Sequence, residues 1–348
     1  MWQVVKRDVR FWIGITFLSV LMIVSIGYTV FFDGTIRELT MMYNEKGELE
    51  AAPFSPSSKF WFGSDVKGRD LVQLIIEGAK WTVGASIIIA ILRVIVGGGI
   101  GLLLGMYGKH SFPVISSFFD PFSIVPMVMI SYFMLNEVLT FDSGAEVVPL
   151  YLRGSFQIIV LVCLAVPTVM LYVAQEVKRI KKEEFMLAAT MLGGSKWHRL
   201  KRHIWPHMLP PFLLLVAQQF VSTLLLLLHL GLLQLFFGGT ITFSGMDPDS
   251  VTKEWTGLIG QNFRHLTTHT WIVLIPIAFY SMTILAGNLV SNSMQDAIKL
   301  GNARRPERKG REVQVEKQVQ PTTNDFSVYS GGKSILPSSN NSFIICFV

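Results

Sequence analysis

Cysteine and charge are what this chain lacks. Among 348 residues there are two cysteines, and Asp, Glu, Lys and Arg together make up 16%, where a soluble domain carries about a quarter. With Cys163 inside an apolar block and Cys346 near the end, a disulfide-built secreted scaffold is excluded. So little charge, set against 51% apolar residues and a mean hydropathy of +0.47, excludes both an ordinary soluble globule and a wholly disordered chain. Catalytic motifs are missing as well. Gly105-Met106-Tyr107-Gly108-Lys109 has neither the spacing nor the hydroxyl residue of a phosphate-cradling loop, and Gly331-Gly332-Lys333-Ser334 has no upstream glycine. No Ser/His/Asp grouping, metal-ligand spacing or redox pair stands out, so no enzyme activity and no cofactor bound by this chain are expected.

What the chain has is length in its apolar blocks, without a 2 or 3.6 period, which marks a polytopic membrane protein. A hydrocarbon core about 30 Å thick takes about 20 residues of helix. Six blocks reach that length: 11–32, 81–106, 112–135, 156–175, 209–237 and 270–291. Arg93 lies inside the second and Asp120 inside the third; the other four hold no formal charge. The first block is too long and too evenly apolar for a cleavable signal peptide and is expected as a retained helix. The fifth would run about 44 Å as one helix, so a break is expected at Gly231, with 232–237 lying in the outer interface. If the N-terminus is inside, the cytoplasmic pieces (1–10, 107–111, 176–208, 292–348) hold 20 Lys and Arg against 9 Asp and Glu. The outer pieces (33–80, 136–155, 238–269) hold 9 against 14. Basic residues concentrate on the cytoplasmic side, so an N-in, C-in topology is expected. The basic pI reports membrane orientation, not nucleic-acid binding.

The cytoplasmic loop 176–208 carries the most information. Lys178-Arg179-Ile180-Lys181-Lys182 anchors the fourth span at the lipid phosphates, and the run 183–192 is made of good helix formers. Acidic residues at its start suit the helix dipole, and Gly193-Gly194 supplies a stop. Phe185, Ala188, Ala189 and Leu192 fall at i, i+3, i+4 and i+7 and are expected to share one face, whose alanines let another backbone come close. Ser195 caps a second, basic helix that Pro206 is expected to end. From the residues alone, two readings stand: an amphipathic connector lying on the membrane, or a helix that enters a groove on a cytoplasmic partner.

Ala188-Ala189, Gly193, His203-Ile204 and Pro206 resemble the EAA-x3-G-x9-I-x-L-P loop of ATP-binding-cassette importer permeases, with Leu187 in place of the Glu and Trp205 in place of the Leu. A second stretch, Phe62-Gly63-Ser64-Asp65-Val66-Lys67-Gly68-Arg69-Asp70 followed by Glu77-Gly78-Ala79-Lys80, resembles the FGTD-x2-GRD…GAR signature of dipeptide, oligopeptide and nickel importer permeases, C-type subunit. Asp120, Pro126, Trp255, Pro276, Asn288-Leu289 and Asp296-Ala297 agree more weakly, Asn292 replaces a usual Asp, and the resemblance covers roughly residues 5–300. It implies a type I importer permease core in the cytoplasmic membrane of a prokaryote. It also implies a sibling permease in a pseudo-twofold heterodimer, two ATPase subunits that bind ATP and Mg, and an extracytoplasmic solute-binding protein. The loop residues Glu184, Phe185, Ala188, Ala189, Leu192, Gly193 and Pro206 would then couple to the ATPases.

The expectation is therefore an all-α integral membrane protein with six transmembrane helices. It divides into the N-terminus and first helix (1–32), an extracytoplasmic loop (33–80), a five-helix core (81–300) and a disordered cytoplasmic tail (301–348). In the outer signature Gly63, Gly68 and Gly78 bend or thin the chain, and Asp65, Arg69 and Asp70 can cross-link it. Arg93 at mid-span either faces a pathway or pairs with Asp120. Gln218, Gln219 and His229 in the fifth block either touch solute or hydrogen-bond between helices. The function expected is passage of small peptides. A nickel or other small-solute importer, an ion-coupled secondary transporter, and a receptor or scaffold without flux are the alternatives.

Overall fold

The computed structural model describes residues 2–43, 49–108, 111–119, 125–142, 148–243 and 246–303. The chain divides into residues 1–305 and 306–348; the second part, with the expected tail and the basic run 304–309, lies outside the described residues. In the first, a short α1 (Trp2–Val5) leads into α2 (Val9–Phe32), and a hairpin of β1 (Met41–Tyr43) and β2 (Leu49–Ala51) precedes α3 (Leu71–Tyr107). Then come α4 (Ser111–Phe119), α5 (Met127–Leu139), β3 (Thr140–Asp142), α6 (Leu150–Ile180), α7 (Glu184–Met191), α8 (Lys196–Arg199) and α9 (Trp205–Leu232). The chain continues through β4 (Thr240–Phe243), β5 (Met246–Ser250), α10 (Trp255–Asn262) and α11 (Thr270–Ala303). β3 pairs parallel with β4, which pairs antiparallel with β5.

Among the described residues five helical stretches are long and apolar enough to cross a membrane: Val9–Phe32, Leu71–Tyr107, Leu150–Ile180, Lys196–Leu232 and Thr270–Leu300. The block 112–135 departs from expectation. It holds two helices, of 9 and 13 residues, with 120–124 between them outside the described residues. Pro126 is the reason for the second boundary: proline holds its predecessor out of the helical region, so α5 starts afresh at Met127. The 33–80 loop is also shorter than expected. Asp70 accepts from the Val72 amide at 2.8 Å and starts α3 ten residues before Trp81.

α3 is the central rod. Its side chains enter three of the apolar clusters: one with α9, α10 and α11, one with α5, α6 and α9, and one with α6, α7 and α9. Toward α6 it presents Gly97, Gly101 and Gly105, four residues apart, against Val169, Val173 and Val177 with the same spacing. A Cβ at Gly101 would lie 2.6 Å from the Met170 carbonyl oxygen and 2.8 Å from the Val173 Cβ, so the two backbones run in direct contact. Helices in lipid gain little from apolar burial, and small residues that admit close packing replace that drive.

Gly231, expected as a break, is instead a crossing point. α9 runs through it to Leu232, and a Cβ there would meet the Thr256 carbonyl oxygen at 2.7 Å because α10 presses against it. The turn falls at Gln234, whose φ is 63°. Within 232–237, Leu232 and Leu233 are exposed while Leu235, Phe236 and Phe237 are buried, and the Phe237 amide donates to Glu254 at 2.9 Å. Pro206 does not end the second loop helix. A wider turn over Leu200–Ile204 carries α8 into α9, and Pro206 sits in the first turn of α9, where its missing N–H costs little.

Replacing Gly101 by Val should destabilise the protein by about 1–3 kcal/mol or more, seen as a lower thermal midpoint in detergent. Gly99→Val, with open space around its Cβ position, should leave the midpoint within about 0.5 kcal/mol of wild type.

Candidate functional site

The α7 end is built by the chain's own stop signals. Gly193, with φ +78°, closes α7: its amide donates to the Thr190 carbonyl at 3.1 Å and the Gly194 amide to Ala189 at 3.3 Å, the paired bonds of a glycine-terminated helix. Ser195 then caps α8, accepting from the His198 amide at 3.2 Å. Arg199 donates to the Thr190 hydroxyl and ties α8 back onto α7.

Met186, on no expected face, is what α7 turns inward. Met186 is 2% exposed and packs with Met106, Val177, Ile180, Leu200 and Met208 at the base of α3, α6 and α9. Phe185 is half-buried, its ring stacked on His207 with centroids 4.8 Å apart. Ala189 is half-buried beside them. Outward point Glu184, Leu187, Ala188 and Met191, which share the i, i+3, i+4, i+7 stripe, followed by Leu192. Met191 and Leu192 are each 88% exposed, and Leu187 and Trp197 are exposed as well. Periodicity tells which residues share a face, not which way it looks; Met186, unremarked in the sequence, decides that. Gly193 is exposed with nothing within 4 Å of its Cβ position.

At the other end the signature residues form a clasp. Asp65 and Arg69 are both buried, and Asp65 accepts from the Arg69 Nε at 2.6 Å, the Arg69 amide at 2.8 Å and the Lys67 amide at 3.0 Å. Asp70 caps α3 rather than joining the cluster. Its place is taken by Asp249 from β5, 3.4 Å from Arg69 and 2.7 Å from Lys67 Nζ. Burial opposes the Arg69 charge, but the Asp65 and Asp249 carboxylates outweigh it and hold the guanidinium above its usual range. Gly68, with φ +78°, lets the turn lie against the Leu39 carbonyl. Gly63 shares that φ and sits against Trp271 and the Phe54 carbonyl. Gly78 lets the Lys253 backbone approach α3; a Cβ there would lie 2.6 Å from its oxygen. Beside it Trp255 donates from its ring to the Ile75 carbonyl at 2.9 Å. Burial pushes the Glu254 carboxyl up, against the amides of Gly257 and Phe237 that favour its charge. Glu77 and Lys80 pair, and Lys80 also reaches Thr29 on α2.

Arg93 is fully buried between three helices. Its Nε and Nη2 donate to the Leu161 carbonyl of α6 at 3.0 and 2.9 Å, and its Nη1 to Thr223 at 3.0 Å and Gln219 at 3.4 Å on α9. Asp120, its expected partner, lies outside the described residues. Gln219 is thus engaged between helices, Gln218 is half-buried, and His229 is exposed, its Nδ1 bonded to the Leu225 carbonyl. Cys163 is exposed on α6. Two groups escaped the sequence reading. Asp249 stands 180 residues from Arg69, with no local signal; the Gly97-x3-Gly101-x3-Gly105 spacing was there to be seen.

Residues 97–301 match the model of one family, the binding-protein-dependent transport system inner membrane component. Relatives include the probable D,D-dipeptide transport system permease protein DdpC of Escherichia coli, 22% identical over 72% of this chain and 76% of its own length. The dipeptide transport system permease protein DppC of Alkalihalophilus pseudofirmus is 24% identical, covering 70% of this chain and 72% of the relative. The oligopeptide transport system permease protein OppC of Bacillus subtilis is 22% identical over 70% and 72%. The family match spans more than half of the chain, and it takes in α7 and its flanking turns. The chain belongs to this family: it is a membrane component of an ATP-binding-cassette transport system.

Removing one carboxylate from the clasp leaves a buried guanidinium short of charge, which costs about 3–5 kcal/mol where the partner is fully buried. Asp65→Asn should therefore lower the thermal midpoint more than Asp249→Asn, because Asp65 is closer to Arg69 and better buried. Equal losses would mean that the distances do not rank the two pairs.

Proposed function

We propose that this chain is the permease subunit that carries small peptides across the cytoplasmic membrane of a bacterium. What supports the substrate is the set of relatives, whose names include dipeptide, D,D-dipeptide and oligopeptide permeases. The charge balance supports an arrangement with both ends and the α7 loop inside, 20 basic residues standing there against 9 outside. In that arrangement the sixth crossing falls in the 112–135 block, to which α5, at 13 residues and roughly 20 Å long, contributes part. The core over 81–300 then begins inside α3, whose first ten residues belong to the outer segment 33–80. The partners in this reading are a sibling permease, two ATPases and a solute-binding protein.

One observation carries the coupling: α7 has two faces with different tasks. Met186 and Phe185 root it in the base of α3, α6 and α9, while Met191 and Leu192 are each 88% exposed and Leu187 is about half exposed. An exposed apolar stripe on a cytoplasmic loop fits a cleft in another protein. When ATP closes the two ATPases, the rooted helix is carried along and moves the ends of three spans together. ATP and solute then bias one two-state interface from opposite ends. Leu187, which stands where the family has Glu, lies on the outward stripe, so this chain meets its ATPase through an apolar contact there instead of a charge.

The test is Leu187→Glu with Met191→Glu in the assembled transporter. Uptake should fall at least tenfold while ATP hydrolysis by the partner subunits continues and the protein remains inserted. Unchanged uptake overturns the assignment. Gly193 makes a poorer probe, since its positive φ adds backbone strain to any substitution.

A further inference from the structure

α6 carries two buried donors that nothing in the described part of the chain satisfies. Arg153 is 4% exposed and Gln157 is fully buried, one helical turn apart on the same face. The Arg153 Nε donates to the Val148 carbonyl at 2.8 Å and the guanidinium stacks 4.3 Å from the Phe141 ring centre, but Nη1 has no partner. Gln157 accepts from the Gly238 amide at 2.9 Å through Oε1, and its Nε2 has no partner. Both side chains meet the Gly238–Gly239 turn. Gly239 has φ 130°, and a Cβ there would lie 2.1 Å from Arg153 Nη1, so the turn has no side chain where the guanidinium edge sits.

Buried donors are nearly always paired, and leaving one orphaned is costly, more so when it is charged. The described carboxylates nearby are engaged elsewhere: Asp142 with Thr242, Glu254 with the Phe237 and Gly257 amides. One donor is cationic and the other neutral, and both come from one helix face. That set suits a carboxylate, which offers two acceptor oxygens and one negative charge. A water would satisfy the hydrogen bonds and leave the charge uncompensated.

We infer that Arg153 and Gln157 form a receiving site for the carboxylate of the transported solute, beneath the Gly238–Gly239 turn. The inference rests on the peptide-permease reading, and it gives that reading a chemical requirement: a free carboxylate on the solute. The site lies at the start of α6, the extracytoplasmic end in the proposed orientation. Receiving a carboxylate requires the turn to lift from the guanidinium.

The experiment measures binding, not transport. The membrane complex is purified without solute-binding protein, and its thermal midpoint is followed against acetate, chloride of equal ionic strength, a dipeptide, and the same dipeptide as its C-terminal amide. A ligand that binds only the folded state raises the midpoint with concentration. The expected result is a rise with acetate and the dipeptide, none with chloride or the amide, and at least a tenfold rightward shift in Arg153→Lys and Gln157→Leu. Arg153→Lys keeps a charge but loses the planar fork, so it guards against simple unfolding. A rise that survives both variants, or one that chloride matches, overturns the site. A rise with acetate but none with the dipeptide overturns the assignment to solute. A response that emerges only in Glu146→Gln also overturns it, by showing that this residue of the chain already occupies Arg153. Failure of the α7 variants to uncouple transport would leave these binding curves unchanged, so the two proposals fail separately.

Discussion

The structure depends on α3 and α6 touching backbone to backbone. In lipid there is little to gain from bringing one apolar helix against another, because the tails outside are as apolar as the side chains within. What remains is the packing of surfaces, and packing is tightest where no side chain intervenes. Gly97, Gly101 and Gly105 remove the side chains from one helix, and Val169, Val173 and Val177 fill the groove from the other. Arg93 completes the join, reaching from α3 to a main-chain carbonyl of α6 and to side chains of α9. A guanidinium placed there is costly in hydrocarbon, and the price is met by four hydrogen bonds to three residues on two helices.

From that rod the two ends take their character. Near the signature, the loop before α3 and the segment before α10 are held together by a buried acid–base cluster and by glycines that admit neighbouring backbone. Near α7, methionine and phenylalanine hold the helix to the bundle, and methionine packs without strict shape. A rigid clasp at one end and an apolar, deformable joint at the other suit a molecule that receives motion at the second and holds its form at the first.

How much of this was legible beforehand depended on the kind of signal. Block length marked the spans well, because hydrocarbon thickness sets it, and the turn chemistry at Gly193 and Ser195 was readable because caps are local. The ends of α3 and α5 were not placed by hydropathy; Asp70 and Pro126 set them, and neither is apolar. Gly231 misled because a glycine in a helix can mark a break or a close crossing, and only the presence of α10 decides between them. The rotation of α7 could not be read because the neighbour that fixes it, the Met106–Met208 cluster, is drawn from distant segments. Asp249 was invisible for the same reason. Of the candidate site, the loop and the signature could be found from the residues, and their geometry could not.

The turn at Leu200–Ile204 has a consequence for the whole of α9. There the Trp205 amide reaches back to the Leu200 carbonyl, five residues away instead of four. One extra residue in the coil shifts the phase of everything beyond it by about 100°. Gln219 and Thr223 look toward Arg93 only in that phase. The bearing of α9, in the fourth of the five long helical stretches, is therefore set at its root, in the same short run of chain that anchors α7.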